Sequence, residues 1–281
     1  MVRNLHFFQA GTSQSRECLA LRGGDKRKSL FPAIVAVFEH PSEGVILFDT
    51  GFAPRFYEAT RSFPEKLYPL VIPVRISPEE TALARLKKSG IQAGDVRFVI
   101  CSHFHADHIA GAADFTRARY IYSQEGYESL RVRTRWDRFR AGFLSRLLPW
   151  DFEQRGLALS HNQFQSRISD LHDFHTGFDL FGDGSVVLLE LPGHATGQLG
   201  AIIRESSGKN YFLASDACWT EASYRRYLPP PKLVMNLLFD NKKQYETTLR
   251  RIYEFAKAYP DFQIVPGHCP DTLRMLSSKV L

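Results

Sequence analysis

The chain has 281 residues, 44% of them hydrophobic, which is enough to bury a large core within one α/β domain. Its formal net charge of +6 comes from 36 basic residues spread among 30 acidic ones, so charge alone gives no reason to expect a nucleic-acid partner. No run approaches the roughly 20 apolar residues that cross a bilayer, which excludes a transmembrane helix.

The N-terminal segment and the cysteines bear on the cellular compartment. The first residues, MVRNLHFFQAGTSQS, lack the continuous apolar stretch of a secretion signal. Cys18, Cys101, Cys218 and Cys269 include no C-x-x-C pair, so free thiols are favoured over a disulfide framework. We therefore expect a cytoplasmic protein.

Early in the chain, short apolar runs alternate with turns. Residues 33–38 and 44–48 are typical of antiparallel strands, and the second run ends in the turn Asp49-Thr50-Gly51. The period then changes at Ser77-Pro78-Glu79-Glu80, which combines an N-cap, a proline at the first helical position and a capping-box glutamate. This pattern predicts a helix that Gly90 ends, followed by a buried strand over residues 96–101.

The second half repeats the strand pattern before a long helix. Strands are predicted at 185–191, 199–204, 211–214 and 262–265. A last long helix is predicted from about Asp240, with one face formed by Tyr245, Leu249, Ile252, Ala256 and Tyr259. Strands followed by helices in both halves predict two packed sheets with helices outside.

The segment from about 124 to 180 has a different composition. Its arginines at 131, 133, 135, 138, 140 and 146 are interleaved with Trp136, Phe139, Phe143, Leu147 and Trp150. These apolar positions follow helical spacing, which predicts an amphipathic helical insertion. A helix docked on the core with a solvated arginine face and a lid over the substrate both explain the pattern.

The stretch after the buried strand is dense in possible metal ligands. Three imidazoles and a carboxylate, those of His103, His105, Asp107 and His108, fall within six residues. Imidazole and carboxylate are ligands that zinc accepts, and alternate residues of an extended segment can face two neighbouring metals. The competing interpretation is a polar loop capped by Asp107, but burying imidazoles without partners is costly.

Three further strand ends carry residues that can bind metal. Pro192-Gly193-His194, Ser215-Asp216 and Pro266-Gly267-His268 each follow an apolar run. Each one alone is more often a turn than a ligand, but three of them with matching chemistry reinforce one another. Together with the first stretch they supply five imidazoles and two carboxylates.

These motifs, in this order, resemble the metallo-β-lactamase superfamily, whose pattern is H-x-H-x-D-H followed by a His, a bridging Asp and a last His. The resemblance extends over essentially the whole chain and implies an α/β fold, a four-layer αβ/βα sandwich. It also implies one domain spanning residues 1–281, with the segment at about 124–180 as a lid-like helical insertion. By that likeness one metal would be held by His103, His105 and His194, a second by Asp107, His108 and His268, with Asp216 bridging them.

A metal pair implies a mechanism. Two cations about 3.5 to 4 Å apart lower the pKa of a bridging water, so that hydroxide exists near neutrality and acts as the nucleophile. Zinc is the default metal, while iron, manganese and cobalt suit the same ligands. Asp107 would relay a proton to the leaving group, and Asp49 would either orient an imidazole from behind or cap its turn.

The ligand pattern narrows the branch. Asp216 argues against the true β-lactamases, which lack a bridging carboxylate, and His105 argues against the flavodiiron branch, which has Glu there. Among the remaining hydrolases the sequence is most similar to the N-acyl homoserine lactonases, which implies opening of a lactone ring. Those lactonases have a tyrosine where this chain has Trp219, an indole that can donate a hydrogen bond but not a proton.

The missing phenol leaves the catalytic assignment open. We expect Trp219 to serve in packing, and Tyr224 or Tyr227 to bring a hydroxyl to the substrate. Asp107 and Tyr224 are therefore the predicted catalytic residues.

Other functions fit the same ligands. A thioesterase of the glyoxalase II type or a phosphate or organophosphate esterase would use the same metal pair. A non-catalytic protein that keeps metal only for stability belongs to a different class of function. The expected partner is a small-molecule ester or lactone rather than a nucleic acid, and a homodimer is left open.

Overall fold

Two β-sheets lie face to face in the structure, a computed structural model that describes residues 1–277. The first sheet is built from β1 (Arg3–Arg16), β2 (Lys28–His40), β3 (Gly44–Phe48), β4 (Val74–Arg75), β5 (Val96–Ile100), β6 (Arg119–Ser123) and β7 (Gly156–Leu159). A separate hairpin consists of β8 (Arg167–Leu171) and β9 (Phe174–Thr176). The second sheet is built from β10 (Phe178–Asp179), β11 (Val186–Glu190), β12 (Leu199–Arg204), β13 (Asn210–Ser215) and β14 (Gln263–Pro266).

Eleven α-helices and several 3-10 turns connect the strands of the described chain. The α-helices are α1 (Glu17–Ala20), α2 (Arg55–Ala59), α3 (Tyr68–Val71), α4 (Ala82–Lys88), α5 (Ala106–Ile109), α6 (Gln124–Arg131), α7 (Arg135–Arg140), α8 (Glu221–Arg225), α9 (Lys232–Leu238), α10 (Lys242–Ala258) and α11 (Pro270–Leu276). The 3-10 turns lie at Glu65–Leu67, Pro78–Glu80, Ala93–Asp95, Ala112–Asp114, Ser145–Leu147 and His161–Gln165. Across residues 1–277 no helix combines the length and the apolar character that spanning a membrane would need.

Strand pairing places the C-terminal ends of several strands at one edge of each sheet. The first sheet has the order β4-β1-β2-β3-β5-β6-β7 and the second β10-β11-β12-β13-β14. In the first sheet β3, β5, β6 and β7 run parallel, and in the second β13 and β14 do. Because parallel strands end at the same edge, residues that follow them are brought together.

Three apolar clusters show that the molecule has four layers. Between the sheets, Ile46 and Phe48 of β3 pack in one cluster with side chains of the second sheet such as Leu188. On the outer face of the first sheet, Leu47 joins a cluster with the helices, as period-two alternation along a strand requires. On the outer face of the second sheet, Leu249 and its neighbours on α10 cover Phe212 and other strand residues. The predicted αβ/βα sandwich is confirmed.

Most predicted elements are present, with shifted ends. The strand pair at 33–38 and 44–48 is β2 and β3, paired antiparallel. The helix predicted from Ser77 is divided in two, because Thr81 is extended and its hydroxyl accepts from the backbone of Ala84, which starts α4 anew. The last long helix, predicted from about Asp240, is α10, which Asn241 caps and which the short α11 follows.

The α-helices of the segment 124–180 lie only in its first part. Helices α6 and α7 and the 3-10 turn ending at Leu147 make up that part, whereas β7 extends the first sheet and β10 extends the second. The apolar stripe also divides, because Phe143 and Leu147 are buried while Trp136 and Trp150 are exposed. Pairing with β6 and β11 explains the strands, since each short run fills an otherwise open sheet edge.

Candidate metal centre

Seven side chains meet at the sheet edge where β5, β11, β13 and β14 end. They comprise every ligand predicted from the sequence: His103, His105, Asp107, His108, His194, Asp216 and His268. Four come from the loop after β5 and the short helix α5 that follows it, and three come from strand ends of the second sheet. The cleft therefore lies between the two halves of the sandwich.

One set of four residues, which we call the first group, can share a single ion. Ligand atoms of His103, His105, His194 and Asp216 all lie within 4.8 Å of one another. The rings of His103 and His105 meet edge to face with centroids 4.5 Å apart, and Nδ1 of His105 lies 2.9 Å from Nε2 of His194. Nitrogens of three imidazoles thus converge on one point.

The second group consists of Asp107, His108 and His268, whose ligand atoms also lie within 4.8 Å of one another. Nε2 of His268 lies 3.4 Å from Oδ2 of Asp107, and Nε2 of His108 lies 3.8 Å from Oδ1. The side chain of Asp107 is 14% exposed, whereas that of His108 is 2% exposed. Asp107 is therefore the member of this group open to the cleft.

The carboxylate of Asp216 lies between the two groups. Its Oδ2 lies 3.2 Å from Nε2 of His194, in the first group. Its Oδ1 lies 3.3 Å from Nε2 of His108 and 3.1 Å from Nε2 of His268, in the second. Gly267 makes this approach possible, because a Cβ there would stand 2.3 Å from Oδ1 of Asp216. One carboxylate thus contacts imidazoles of both groups.

Asp49 orients one imidazole in each group. Its Oδ2 accepts from Nδ1 of His108 over 2.7 Å and from the hydroxyl of Ser102 over 2.8 Å. Since that hydroxyl has one proton, given to Asp49, Ser102 accepts from Nδ1 of His103, 3.1 Å away. Both rings are thus oriented through Nδ1, and their Nε2 atoms point toward the other residues of the cluster. Oδ1 of Asp49 also accepts from the Ser102 backbone N–H, so these hydrogen bonds support the orienting role of Asp49 rather than a cap of its own turn.

A backbone carbonyl orients the imidazole of His268. Nδ1 of His268 donates to the carbonyl oxygen of Pro32 over 2.9 Å. Pro32 lies on β2 of the first sheet, whereas His268 follows β14 of the second. This bond fixes the tautomer and ties the sheets together at the site.

Burial and neighbouring charges shift the pKa values of the site residues in opposite directions. Burial lowers the pKa of His103, and burial with the neighbouring His194 lowers that of His105 to about 4. Burial also acts to lower the pKa of His268, but the charge of Asp216 outweighs it and raises the pKa to about 9. Burial opposes the charge of Asp216, yet the surrounding imidazoles hold its pKa well below the usual range. His103 and His105 therefore present neutral imidazoles to the anionic carboxylate of Asp216.

Buried polar atoms without hydrogen-bond partners test whether metal ions fit these residues. Among the described side chains, Nε2 of His103, Nε2 of His108, Nδ1 of His194 and Oδ1 of Asp216 are buried and lack a hydrogen bond. Leaving such atoms unpaired is costly. Cations would satisfy those of His103, His108 and Asp216, whereas His194 meets the first group through its other nitrogen, Nε2. Nitrogen and carboxylate donors at this spacing are those of zinc and similar divalent metals. The residues fit two metal ions.

Aromatic side chains form the wall beside His194. Phe239 meets the His194 ring edge to face with centroids 4.7 Å apart, and Trp219 meets Phe239 at 5.3 Å. The indole N–H of Trp219 also donates to Oδ2 of Asp216 over 2.8 Å. Trp219 thus packs as predicted, and in addition bonds to a predicted ligand.

Tyr68, at the start of α3, is a phenol that the sequence analysis did not single out. Its ring packs edge to face on Phe56 with centroids 5.3 Å apart. Burial and then the negative charges of Asp107 and Asp216 raise its pKa well above the usual range, so the hydroxyl stays protonated. The influence of both carboxylates indicates that Tyr68 lies on the side of the molecule that carries the two groups.

The two tyrosines predicted to reach the site have other surroundings. Tyr224 is 3% exposed in the core of the second sheet. Burial raises its pKa, and the charged or ionisable groups that act on it, Arg225 and Cys218 first, do not include the carboxylates of the cleft. The hydroxyl of Tyr227 donates to the backbone carbonyl of Glu246. The catalytic role predicted for Tyr224 stays a prediction.

The ligands were recognisable in the sequence, whereas their supporting contacts were not. Ser102 and Pro32 carry no signal, because a serine and a proline carbonyl are unremarkable in any strand. The resemblance had marked position 219 as a departure, and its indole was the only sign of the bond to Asp216. Tyr68 follows no motif, and only the fold brings it to the site.

Comparisons with known proteins agree with this geometry. The metallo-β-lactamase superfamily model matches residues 32–268. The N-acyl homoserine lactonase AttM of Agrobacterium fabrum is 25% identical over 268 residues, covering 95% of this chain and 93% of that protein. The protein of the same name from Azorhizobium caulinodans is 29% identical over 193 residues, which are 69% of this chain and 65% of that protein.

Among solved structures, an N-acyl homoserine lactone hydrolase with the product N-hexanoyl-L-homoserine bound at its catalytic metal center has a similar fold. It superposes with a TM-score of 0.72 at 20% identity, over 98% of this chain and 96% of that one. At this identity the likeness concerns the fold, while the family follows from the superfamily match over most of the chain. The chain belongs to the metallo-β-lactamase superfamily and is a hydrolase of that superfamily.

Proposed function

We propose that the protein is a dinuclear metal-dependent lactonase that opens the ring of an N-acyl homoserine lactone or a related lactone. The observation that carries the proposal is the carboxylate of Asp216, which lies within 3.3 Å of imidazoles from both groups. A shared carboxylate of this kind suits a pair of cations rather than one. The AttM relatives support the lactonase branch.

We assign the ligands as the resemblance implies: His103, His105 and His194 to one ion, Asp107, His108 and His268 to the other, and Asp216 to both. When bound, two divalent ions, zinc first among them, would lower the pKa of water and polarise the substrate carbonyl. The chain's own part is to orient its imidazoles, through Asp49, Ser102 and the Pro32 carbonyl.

Ring opening requires a proton at the leaving oxygen. Water adds to the lactone carbonyl, the ring C–O bond breaks, and the released alkoxide takes a proton to become an alcohol. Asp107 suits this transfer because its carboxylate is 14% exposed, whereas the carboxylate of Asp216 is 4% exposed. Tyr68, protonated at neutral pH, is suited to donate a hydrogen bond to the substrate.

Exposed apolar side chains support an acyl substrate. Leu70 and Val71 lie on the same short helix as Tyr68, and they are 75% and 73% exposed. Leu237 and Leu238 precede Phe239, which packs on His194, and they are 68% and 41% exposed. Apolar surface on both segments would accept the chain of an acyl lactone.

Phosphoesters are less favoured because several arginines of the 124–180 segment have structural partners. Arg135 pairs with Glu65, and Arg138 donates to backbone carbonyls of α6. Arg133 lies 3.8 Å from Asp240. A thioesterase, a phosphoesterase and a non-catalytic metal protein remain the alternatives that the experiment distinguishes.

The test is elemental analysis of the purified protein together with a hydrolysis panel. The panel holds acyl homoserine lactones of short and long chain, a simple lactone, a glutathione thioester, and phosphate di- and triesters. We expect about two metal ions per chain and turnover of lactones. Two metals with cleavage of only a thioester or phosphoester would refute the lactonase assignment, and two metals with no turnover would favour the binding protein.

A variant tests the bridging assignment separately. Asp216→Ala should lower metal content and activity together, because both groups lose the same carboxylate. Full activity with both metals retained would contradict it. Asp183→Ala, at a carboxylate that pairs with His40 away from the cleft, is the matched control.

A further inference from the structure

The hydrogen bond from Trp219 to Asp216 has no part in the reaction proposed above. The indole Nε1–H donates to Oδ2 over 2.8 Å, and Asp216 is 3% exposed. That carboxylate has imidazoles on several sides, so it could rotate toward any of them. A donor fixed on one oxygen restricts this rotation.

The indole itself is held in place by aromatic packing. Trp219 meets Phe239 edge to face with centroids 5.3 Å apart and His194 at 5.7 Å. Phe239 in turn packs on Tyr245 of α10 at 4.5 Å. Because these rings fix the direction of the N–H, little entropy is lost when the hydrogen bond forms.

We propose that Trp219 is a positioning residue that holds the carboxylate of Asp216 across the two groups and so strengthens metal binding at both. The inference rests on the metal centre proposed above. An indole nitrogen donates and does not accept, so it shares Oδ2 without acting as a ligand itself. Removal of such an outer partner typically weakens metal binding 10–100-fold.

The contacts of Oδ1 show why the orientation of the Asp216 carboxylate matters. With Oδ2 held by Trp219, Oδ1 faces Nε2 of His108 and Nε2 of His268 at 3.3 and 3.1 Å. Gly267 leaves room on that side, since any Cβ there would meet Oδ1. The carboxylate is therefore set by a donor at Oδ2 and by the close approach of Gly267 and two imidazoles at Oδ1.

The composition of the chain allows a sharp test. It has three tryptophans, and the other two, Trp136 and Trp150, are 44% and 89% exposed. In a Trp136→Phe/Trp150→Phe background Trp219 is the sole tryptophan, so its fluorescence reports on the site. The same background allows replacement of Trp219 alone by β-(3-benzothienyl)alanine, which keeps the bicyclic shape and has sulfur in place of N–H.

The measurements are zinc affinity, by competition with a chromophoric chelator, and Trp219 fluorescence during zinc addition. In the background protein we expect zinc to change Trp219 emission. Trp219→Phe and the benzothienyl protein should both bind zinc 10–100-fold more weakly than the background. The melting temperatures of the metal-free proteins, which serve as the structural control, should stay close to one another.

Three outcomes would overturn the inference. One is zinc affinity within about twofold of the background in both altered proteins, against the 10–100-fold loss expected. Another is weak binding by Trp219→Phe with normal binding by the benzothienyl protein, which would assign the effect to shape. The third is an unchanged Trp219 spectrum in a background protein that binds zinc. A background protein that binds no zinc would instead refute the proposed metal centre.

Discussion

Ser102 and Asp49, 53 positions apart in the chain, form two hydrogen bonds with each other. The Ser102 backbone N–H donates to Oδ1 of Asp49 and the Ser102 hydroxyl donates to Oδ2, each over 2.8 Å. The same Oδ2 accepts from His108, and Ser102 accepts from His103. One buried carboxylate therefore sets the orientation of a histidine in each group.

Asp49→Asn should weaken both metal sites. An amide has one acceptor oxygen, so it cannot accept all three of the hydrogen bonds that Asp49 receives from Ser102 and His108. We expect metal affinity to fall 10–100-fold at both sites, measured by chelator competition. Asp25→Asn is the control, because Asp25 bonds only near the surface. Loss at one site alone would contradict the shared orientation of the two groups.

Gly267→Ala should displace Asp216. The new methyl would stand 2.3 Å from Oδ1 and close to the Ser215 backbone, so the carboxylate must move. We expect loss of most bound metal and most activity, with the fold retained by circular dichroism. The matched control is Gly94→Ala, where the nearest heavy atom is on the flexible Arg117 side chain at 3.6 Å. Unchanged metal content in Gly267→Ala would show that Asp216 is not needed in this position.

Asp240 is expected to stabilise the turn at His194, by an amount that depends on pH. Its Oδ2 accepts from the backbone and hydroxyl of Thr196, and its own N–H donates to the His194 carbonyl. Burial acts to raise the pKa of Asp240, but the Thr196 hydrogen bonds outweigh it and lower the pKa. The carboxylate therefore stabilises the fold above its unfolded pKa, and this contribution is lost as pH falls through the lower folded pKa.

Urea unfolding of Asp240→Asn across a pH series checks this expectation. The variant should lose about 1 kcal/mol of unfolding free energy near neutrality, as expected for a hydrogen-bonded surface carboxylate. The difference from wild type should stay constant down to about pH 5 and shrink below about pH 4. Asp271→Asn, at an exposed carboxylate, serves as the control. If the difference in unfolding free energy grew on acidification, the pKa of Asp240 would be raised in the folded state, which would contradict the prediction.

Two tyrosine variants separate the candidate phenols. Tyr68→Phe should lower kcat for lactone hydrolysis about 10-fold or more, as for loss of one positioned donor, without loss of bound metal. Tyr224→Phe, in the core of the second sheet, should leave kcat near the wild-type value if Tyr68 is the phenol of the reaction. The opposite ranking of the two variants would return the role to Tyr224.

The sequence predicted the layers and all seven clustered residues, because both depend on local signals. Apolar runs that end in His or Asp indicate where strands stop, and parallel strands stop at one edge. The division of one helix at Thr81 was missed because the residues on both sides of Thr81 follow one continuous helical pattern, although the backbone of Thr81 is extended. The strands within 124–180 were missed because four-residue runs such as β7 become strands only by pairing with a sheet edge.

The contacts around the ligands could not be predicted in the same way. The Pro32 carbonyl bonds His268 across 236 positions, and neither residue indicates the other. Trp219 lies three positions from Asp216, yet the direction of its N–H depends on Phe239, which comes from another helix end. Such bonds result from packing of the whole sandwich rather than from a local pattern.

The ligands come from both sheets, and the His268 bond to Pro32 crosses between them. Metal bound there would act as a removable cross-link, and ions that bind only the folded chain add to its stability with their free concentration. A chain made under metal shortage would open more often at this edge and be degraded faster by proteases. We therefore expect the amount of this protein in a cell to follow metal supply even when its synthesis is constant.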